Sequence, residues 1–444
     1  MAGFTESEAK AILDKALKLS KADNCEVFLN ANAGGNIRYA RNAVTTAGEQ
    51  SNLALTVVSS FGKRSGSSSI NEFDDASVER AVRRSEELAK LAPEDPEYMP
   101  PLGPQTYRAT SAFFDTTAGL TPDTRADVAA SSLIPAREKG VTAAGFWEDS
   151  ANWVARANSL GNFAFHRSTT IDFSVTMRTS DGLGSGYAYR NQSDATKLDA
   201  AAASRIAIEK AVASRDARAI EPGKYTVILE TQASGQLIAS MIGAMQARTA
   251  DEGRSFMAKA GGGTRIGERI VDERVTFYSD PWSTEVPGAP FVGDGRPAEK
   301  TMWVENGVVK NLAYSRYWAE KQGKPATPPP SNLIMAGGTE SLEDLIRGTA
   351  RGVLLTRTWY IRPVDPQTLL FTGLTRDGTF YIEDGKIKHA VKNMRFNESP
   401  VIMLNNLDAL GIPERTRGLE VPFPIVIPPM RVRDFTFTSL SDAV

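Results

Sequence analysis

Residues 301–310 and 379–388, TMWVENGVVK and TFYIEDGKIK, repeat one pattern: a run of β-branched and aromatic residues, an Asn-Gly or Asp-Gly pair, and a returning run. Glycine supplies the positive φ that a two-residue hairpin turn demands, so each copy predicts a strand, a tight turn and a strand. Two such hairpins commit the surrounding region to antiparallel sheet, and the expectation is a sheet-rich core that repeats a motif. Between them lie a helix over 316–321, the loop 323–332 with Pro328-Pro329-Pro330, and a helix opened by Ser341 as its cap. The proline-rich loop is too long for a turn and suits the wall of a cleft or an interface.

The N-terminal half reads differently. Ala9, Ile12, Leu13, Ala16 and Leu17 put an amphipathic helix within 5–21, followed by short antiparallel strands at 25–30, 37–41 and 53–59, with a turn at 33–36. Asp74-Asp75 precede a charged helix over 78–91. The proline-rich, acidic stretch 92–101 is a surface connector. A second unit holds a helix over 121–139, strands at 142–147, 152–158 and 169–178, and an alanine-rich helix over 195–214. Glu221-Pro222-Gly223 punctuates the chain before a strand at 225–230. The reading is therefore α+β with two domains: a mixed N-terminal domain over 1–221 and a sheet-rich C-terminal domain over 222–444, as 444 residues allow.

Charge excludes some functions. Lys and Arg total 51 against 53 Asp and Glu, for a formal net charge of -2, and no basic face follows from that balance, so a nucleic-acid partner is not expected. The opening MAGFTESEAK has no basic or apolar leader character and no apolar run reaches membrane-span length, so the expectation is a cytoplasmic protein with no membrane partner. The single cysteine, Cys25, rules out an intramolecular disulfide and reads as a small hydrophobe at the start of a strand. The two histidines, His166 and His389, have no second histidine at metal-ligand spacing, and both read as solvent-facing strand residues. Asp181-Gly182-Leu183-Gly184-Ser185-Gly186 lacks the lysine and hydroxyl of a phosphate loop and reads as a strand connection.

The window 233–252, ASGQLIASMIGAMQARTADE, carries Leu237, Ile238, Met241, Ile242 and Met245 at helical spacing, so one face is buried. Taken alone it is an ordinary core helix.

The chain as a whole resembles the TldD/PmbA family, once called modulators of DNA gyrase. The likeness rests on Asn158-Ser159-Leu160-Gly161 and the strand 171–177, on Pro287-Gly288-Ala289-Pro290-Phe291, and on Trp303-Val304-Glu305-Asn306-Gly307 with Tyr314-Ser315-Arg316-Tyr317. It continues through Gly337-Gly338-Thr339-Glu340-Ser341, Gly352-Val353-Leu354-Leu355-Thr356, Thr372-Gly373 and Tyr381-Ile382-Glu383-Asp384-Gly385. The order and spacing of these segments carry it. The family implies heterodimeric metallopeptidases in which one subunit holds zinc through an HExxxH helix and a late cysteine, and the related PmbA or TldE subunit holds none. Aligned through Leu237-Ile238 and Gly243, the histidines fall at Ala239 and Ala244, the glutamate at Ser240, and the cysteine near Glu414-Arg415. The resemblance is thus to the PmbA/TldE subunit, with no metal and no catalytic residue of its own.

The leading expectation is a metal-free subunit of a cytoplasmic zinc metallopeptidase acting on unfolded or precursor peptides, with the zinc in a TldD-like paralogue. Trp303, Arg316 and Tyr317 are the candidate substrate contacts, and exposed strand edges suit an extended peptide. A second reading is a homodimer that binds peptides or another ligand without catalysis. A third is a hydrolase using a serine or carboxylates, for which Asp251, Glu252, Asp272, Glu273 and Asp377 are the acids to test, although no serine sits in a nucleophile elbow.

Overall fold

A computed structural model describes residues 3–417, 421 and 423–441. The first half builds one six-stranded antiparallel sheet in the order β3-β2-β1-β4-β5-β6. Its strands are β1 (Asn24–Ala40), β2 (Ala43–Phe61), β3 (Arg64–Ile70), β4 (Val141–Asn158), β5 (Phe163–Thr179) and β6 (Ser185–Gln192). Helices α1 (Glu6–Leu19), α2 (Asp75–Leu91), the short α3 (Asp115–Ala118), α4 (Pro122–Glu138) and α5 (Ala200–Ala213) accompany it. Alternation decides the layering. In β1 the buried positions Cys25, Val27, Leu29, Ala31, Ile37 and Tyr39 share one face, and they pack with residues of α1, α2, α4 and α5 in two adjoining clusters.

The strands are longer than the sequence suggested. The expected turn at 33–36 is absent, and β1 runs straight through it, paired with β2 on one side and β4 on the other. The two glycines serve close approach: a Cβ on Gly34 would lie 1.9 Å from the Asp149 carbonyl oxygen, and one on Gly35 2.1 Å from the Arg125 guanidinium carbon. The real turn is Arg41-Asn42, with φ of 51° and 59°, the paired positive values of a type I′ hairpin. The predicted strands at 142–147 and 152–158 are likewise a single strand, β4.

The second half is built on two sheets. Among the described residues nine strands form the larger one, with β7 (Gly223–Leu229) near its centre between Arg351–Leu355 and Met430–Leu440. Six short strands form the other. Both predicted hairpins are present, turning through Asn306-Gly307 and Asp384-Gly385 at positive φ. They lie in different sheets: Thr301–Glu305 in the smaller, Thr379–Glu383 in the larger. The helix α6 (Thr231–Gly243) follows β7 and packs with strands of both sheets in one extended core. Helix and strand content make the protein an α+β fold with a sheet-rich C-terminal region.

The other face of the N-terminal sheet meets the second half of the chain. Phe28, Arg156, His166, Asp172, Tyr187, Tyr189 and Asn191 reach toward segments beyond residue 280. Arg156 donates to the Val292 and Gly293 carbonyls. Arg415 donates to Asn191 and Ser193, and Arg417 pairs with Asp172 at 3.2 Å.

His166 corrects an expectation. Alternation placed it opposite the aromatic face, but that side is roofed by residues 289–293, and its ring sits edge-on to Phe291 at 6.4 Å. Burial drives its pKa down to about 4. A folded pKa below the unfolded value of about 6.5 means the stabilisation is present above that value and is lost as pH falls toward 4. Thermal melts between pH 7 and 4 should therefore show a loss of roughly 3 kcal/mol that a His166→Leu variant lacks; parallel profiles for both proteins would remove His166 as the cause.

Candidate functional site

α6 carries the positions that the resemblance aligns with the family's zinc ligands. It starts after Glu230 because β7 ends there, where the Glu230 amide still donates to Leu355 before the chain bends into the helix. Glu230 is held by Lys210 of α5 at 2.6 Å, with both side chains mostly buried. Leu237, Ile238, Met241 and Ile242 bury the predicted apolar face. Gln232, Gln236 and Ser240 follow one another at four-residue spacing and form its partly exposed stripe.

The positions aligned with the zinc ligands can now be placed. Ala239 is turned into the core at 7% exposure, Ser240 is on the partly exposed stripe, and Ala244 is the C-terminal cap. In the strand Glu414–Thr416, near which the late cysteine would fall, burial lowers Arg415 to about 10. Two alanines, a serine and an arginine do not fit a zinc ion. Among the described residues no three His, Cys, Asp or Glu side chains converge as a metal site.

Beside the N-terminal turn of α6 lies a narrow cleft of about 40 Å³, where the two halves of the chain meet. Tyr187 of β6 supplies one wall; Thr231, Gln232 and Gln236 of α6, Arg357, Trp359 and Thr416 supply the others. Arg357 is stacked between aromatic rings, its guanidinium carbon 3.7 Å from the Tyr187 centroid and 4.7 Å from that of Trp359. Its Nη1 donates to Asp377 at 2.5 Å. Asp377 is 2% exposed and also accepts from Ser185 at 2.6 Å, so the pair ties β6 to the second half. Burial pushes the Tyr187 hydroxyl up to about 12, which keeps it neutral at physiological pH.

The candidate residues named from sequence are dispersed. Trp303 is fully buried and its indole donates to Ser279 at 2.7 Å, so its ring packs in the core. Arg316 and Tyr317 open the helix Arg316–Gln322 under the Ser315 cap, and Tyr317 packs partly on that core. None of the three lines the cleft. The acids proposed for a hydrolase are engaged separately. Asp251 accepts from Trp318, Glu252 pairs with Arg248 and Arg254, and Glu273 pairs with Arg269. Asp272, lowered to about 2 chiefly by its hydrogen bonds with Arg274, and Asp377, held by Arg357, complete the set. Gln232 and Gln236, four residues apart on the polar side of a helix predicted to be buried, were the one signal of the cleft readable beforehand.

The chain is thus a two-half α+β molecule with its candidate cleft beside the helix that follows β7. Models of the PmbA/TldA metallopeptidase match in succession: domain 1 over residues 25–89, the central domain over 119–215 and the C-terminal domain over 222–439. The chain belongs to the PmbA/TldD metallopeptidase family. It is 25% identical over 273 residues to a metalloprotease of Methanothermobacter thermautotrophicus, covering 57% of this chain and 59% of that protein. It is 23% identical over 283 residues to a metalloprotease TldD homologue of Buchnera aphidicola, covering 57% of each. The matches thus span less than two thirds of those relatives. In fold it is similar to TldE from Thermococcus kodakarensis, with a TM-score of 0.87 at 18% identity, covering 97% of this chain and 99% of that one. A protein of Thermotoga maritima described as a candidate modulator of a DNA gyrase gives 0.84 at 17% identity, covering 98% and 100%. Among the described residues no helix is long and apolar enough to cross a membrane.

Proposed function

We propose that this chain is the metal-free subunit of a heterodimeric cytoplasmic zinc metallopeptidase, with zinc and bond cleavage supplied by a TldD-like paralogue and unfolded or precursor peptides as substrates. The observation that carries this reading is α6: aligned as the resemblance implies, it would take the place of the family's zinc helix, yet it bears Ala239, Ser240 and Ala244 where the ligands and the general base would fall. The helix is retained for packing, since its apolar face fills the largest core. The reading is supported further by Arg415, near which the late cysteine would fall and whose cationic side chain is committed to the other half of the molecule.

Affinity purification of the tagged chain from its native host, with metal analysis of the product, tests this. The expected result is a near-stoichiometric relative carrying HExxxH, zinc that follows that relative, and a separated chain whose thermal midpoint is unmoved by a chelator, because nothing bound to the native state is removed. Recovery of a homodimer alone would favour the ligand-binding alternative, and chelator-resistant cleavage by the isolated chain would sink both.

A further inference from the structure

We infer that the space between the first sheet and its roof at 289–293 is a binding site for a phenol, a flat aromatic ring whose hydroxyl is held by His166. This goes beyond the subunit reading above and does not depend on it. The side chains leave a cavity of about 260 Å³ there, lined chiefly by Phe28, Val154, Arg156, His166, Phe291 and Val292. Strand pairing brings four of these to one face of the sheet: Phe28 of β1 lies opposite Arg156 of β4, and Val154 opposite His166 of β5. Fixed contacts hold the roof where it is. Arg156 donates to the Val292 and Gly293 carbonyls and pairs with Glu26 at 2.8 Å. Tyr107 donates to the Gly295 carbonyl at 2.7 Å, and its ring lies 5.4 Å from that of Phe291. The roof therefore does not settle onto Phe28 and Val154, although protein interiors ordinarily close to crystal-like density. Walls of this kind gain more from an apolar guest than from water.

Size and walls favour a ring. An apolar cavity of about 150 Å³ already holds benzene, and Phe28, Phe291 and His166 offer aromatic faces and edges, the last two at 86° to each other. Polarity narrows the choice further. The Arg156 guanidinium is paired with Glu26 and the two roof carbonyls and lies over the Phe28 ring at 5.1 Å, so an anionic guest finds its charge already matched. His166 differs. Burial keeps its ring neutral at physiological pH, and among the described residues it makes no hydrogen bond. A neutral imidazole carries one donor and one acceptor, and a phenolic hydroxyl can meet either.

The test uses the intact protein as purified. The chain has two histidines, so a proton–nitrogen correlation spectrum of the imidazoles carries one set of signals from His166 and one from His389, which is stacked on Tyr381 and serves as the internal control. Phenol should move the His166 signals and leave those of His389 in place. Phenol should also bind at least about 5-fold more tightly than benzene, which has the ring without the hydroxyl, and than cyclohexanol, which has the hydroxyl without the flat ring. A short blocked peptide with one tyrosine separates the sources of the ring: binding comparable to phenol makes the guest a peptide side chain, failure beside phenol binding makes it a free small molecule, and the site stands in both cases. His166 signals unmoved by phenol, or benzene or cyclohexanol binding as tightly as phenol, overturns the assignment. His166→Leu and His389→Gln each identify which signals are which, so poor folding of one leaves the other, and the ligand comparisons need only the unaltered protein.

Discussion

Asp149→Ala is expected to lower the unfolding free energy by about 3–5 kcal/mol, the range for removing one member of a buried ion pair. Asp149 and Arg125 are 3% and 4% exposed and joined twice, Nε to Oδ1 at 2.7 Å and Nη2 to Oδ2 at 2.9 Å. The carboxylate also accepts from the Trp147 indole at 2.8 Å and the Gly35 amide at 3.3 Å. Deleting it therefore strands a buried cation and two further donors at once. Glu49 cannot compensate: it reaches the other side of Arg125 but is 61% exposed, and water screens it. Replacing both partners, as Arg125→Met with Asp149→Leu, should cost less than Asp149→Ala alone, because no charge is then left unpaired. Urea denaturation of the three proteins reads the difference. A loss below about 1 kcal/mol, as for a surface pair, would mean that water reaches the network.

Glu398 should make the protein less stable as pH rises through the neutral range. Its side chain is 3% exposed, and burial drives the carboxyl up to about 7 against hydrogen bonds from the Ser399 and Thr436 amides, which favour the charged form. A folded pKa above the unfolded value means the protonated group contributes fully below about pH 4.5, and that contribution is lost as pH climbs through 7. The span corresponds to roughly 3 kcal/mol. Glu398→Gln should flatten this part of the profile, although its amide NH₂ faces one of two backbone donors and will lower stability at every pH by a constant amount. A wild-type profile flat from pH 5 to 8, once the His166 contribution is subtracted, would show Glu398 to be ionised throughout.

Local chemistry was legible in the sequence and long-range pairing was not. Asn306-Gly307 and Asp384-Gly385 specify their turns unaided, and the Ser341 cap forms a full capping box with Asp344. Nothing within either hairpin says which sheet it will join, since that depends on the edge offered by Phe277–Ser279 to one and by Arg351–Leu355 to the other. Gly34 and Gly35 interrupt the apolar alternation of β1 because the Asp149 backbone and the Arg125 guanidinium leave room there only for hydrogen, and the glycines were mistaken for a turn. At the cleft, the missing zinc ligands could be read from residue types alone. Tyr187, Arg357 and Asp377 could not, because each acquires its role from residues far away in the chain.

The seam between the halves also has a history in time. The helix-backed side of the first sheet is complete once α5 has been made, whereas its opposite side waits for residues 289–293, then Arg357, then Arg415 and Arg417. On a ribosome that side stays wet until these segments emerge: Phe28 and His166 wait for residues 289–293, and Asp172 waits longer for Arg417. A chain released before those segments were made would present the first sheet's unroofed face to its surroundings.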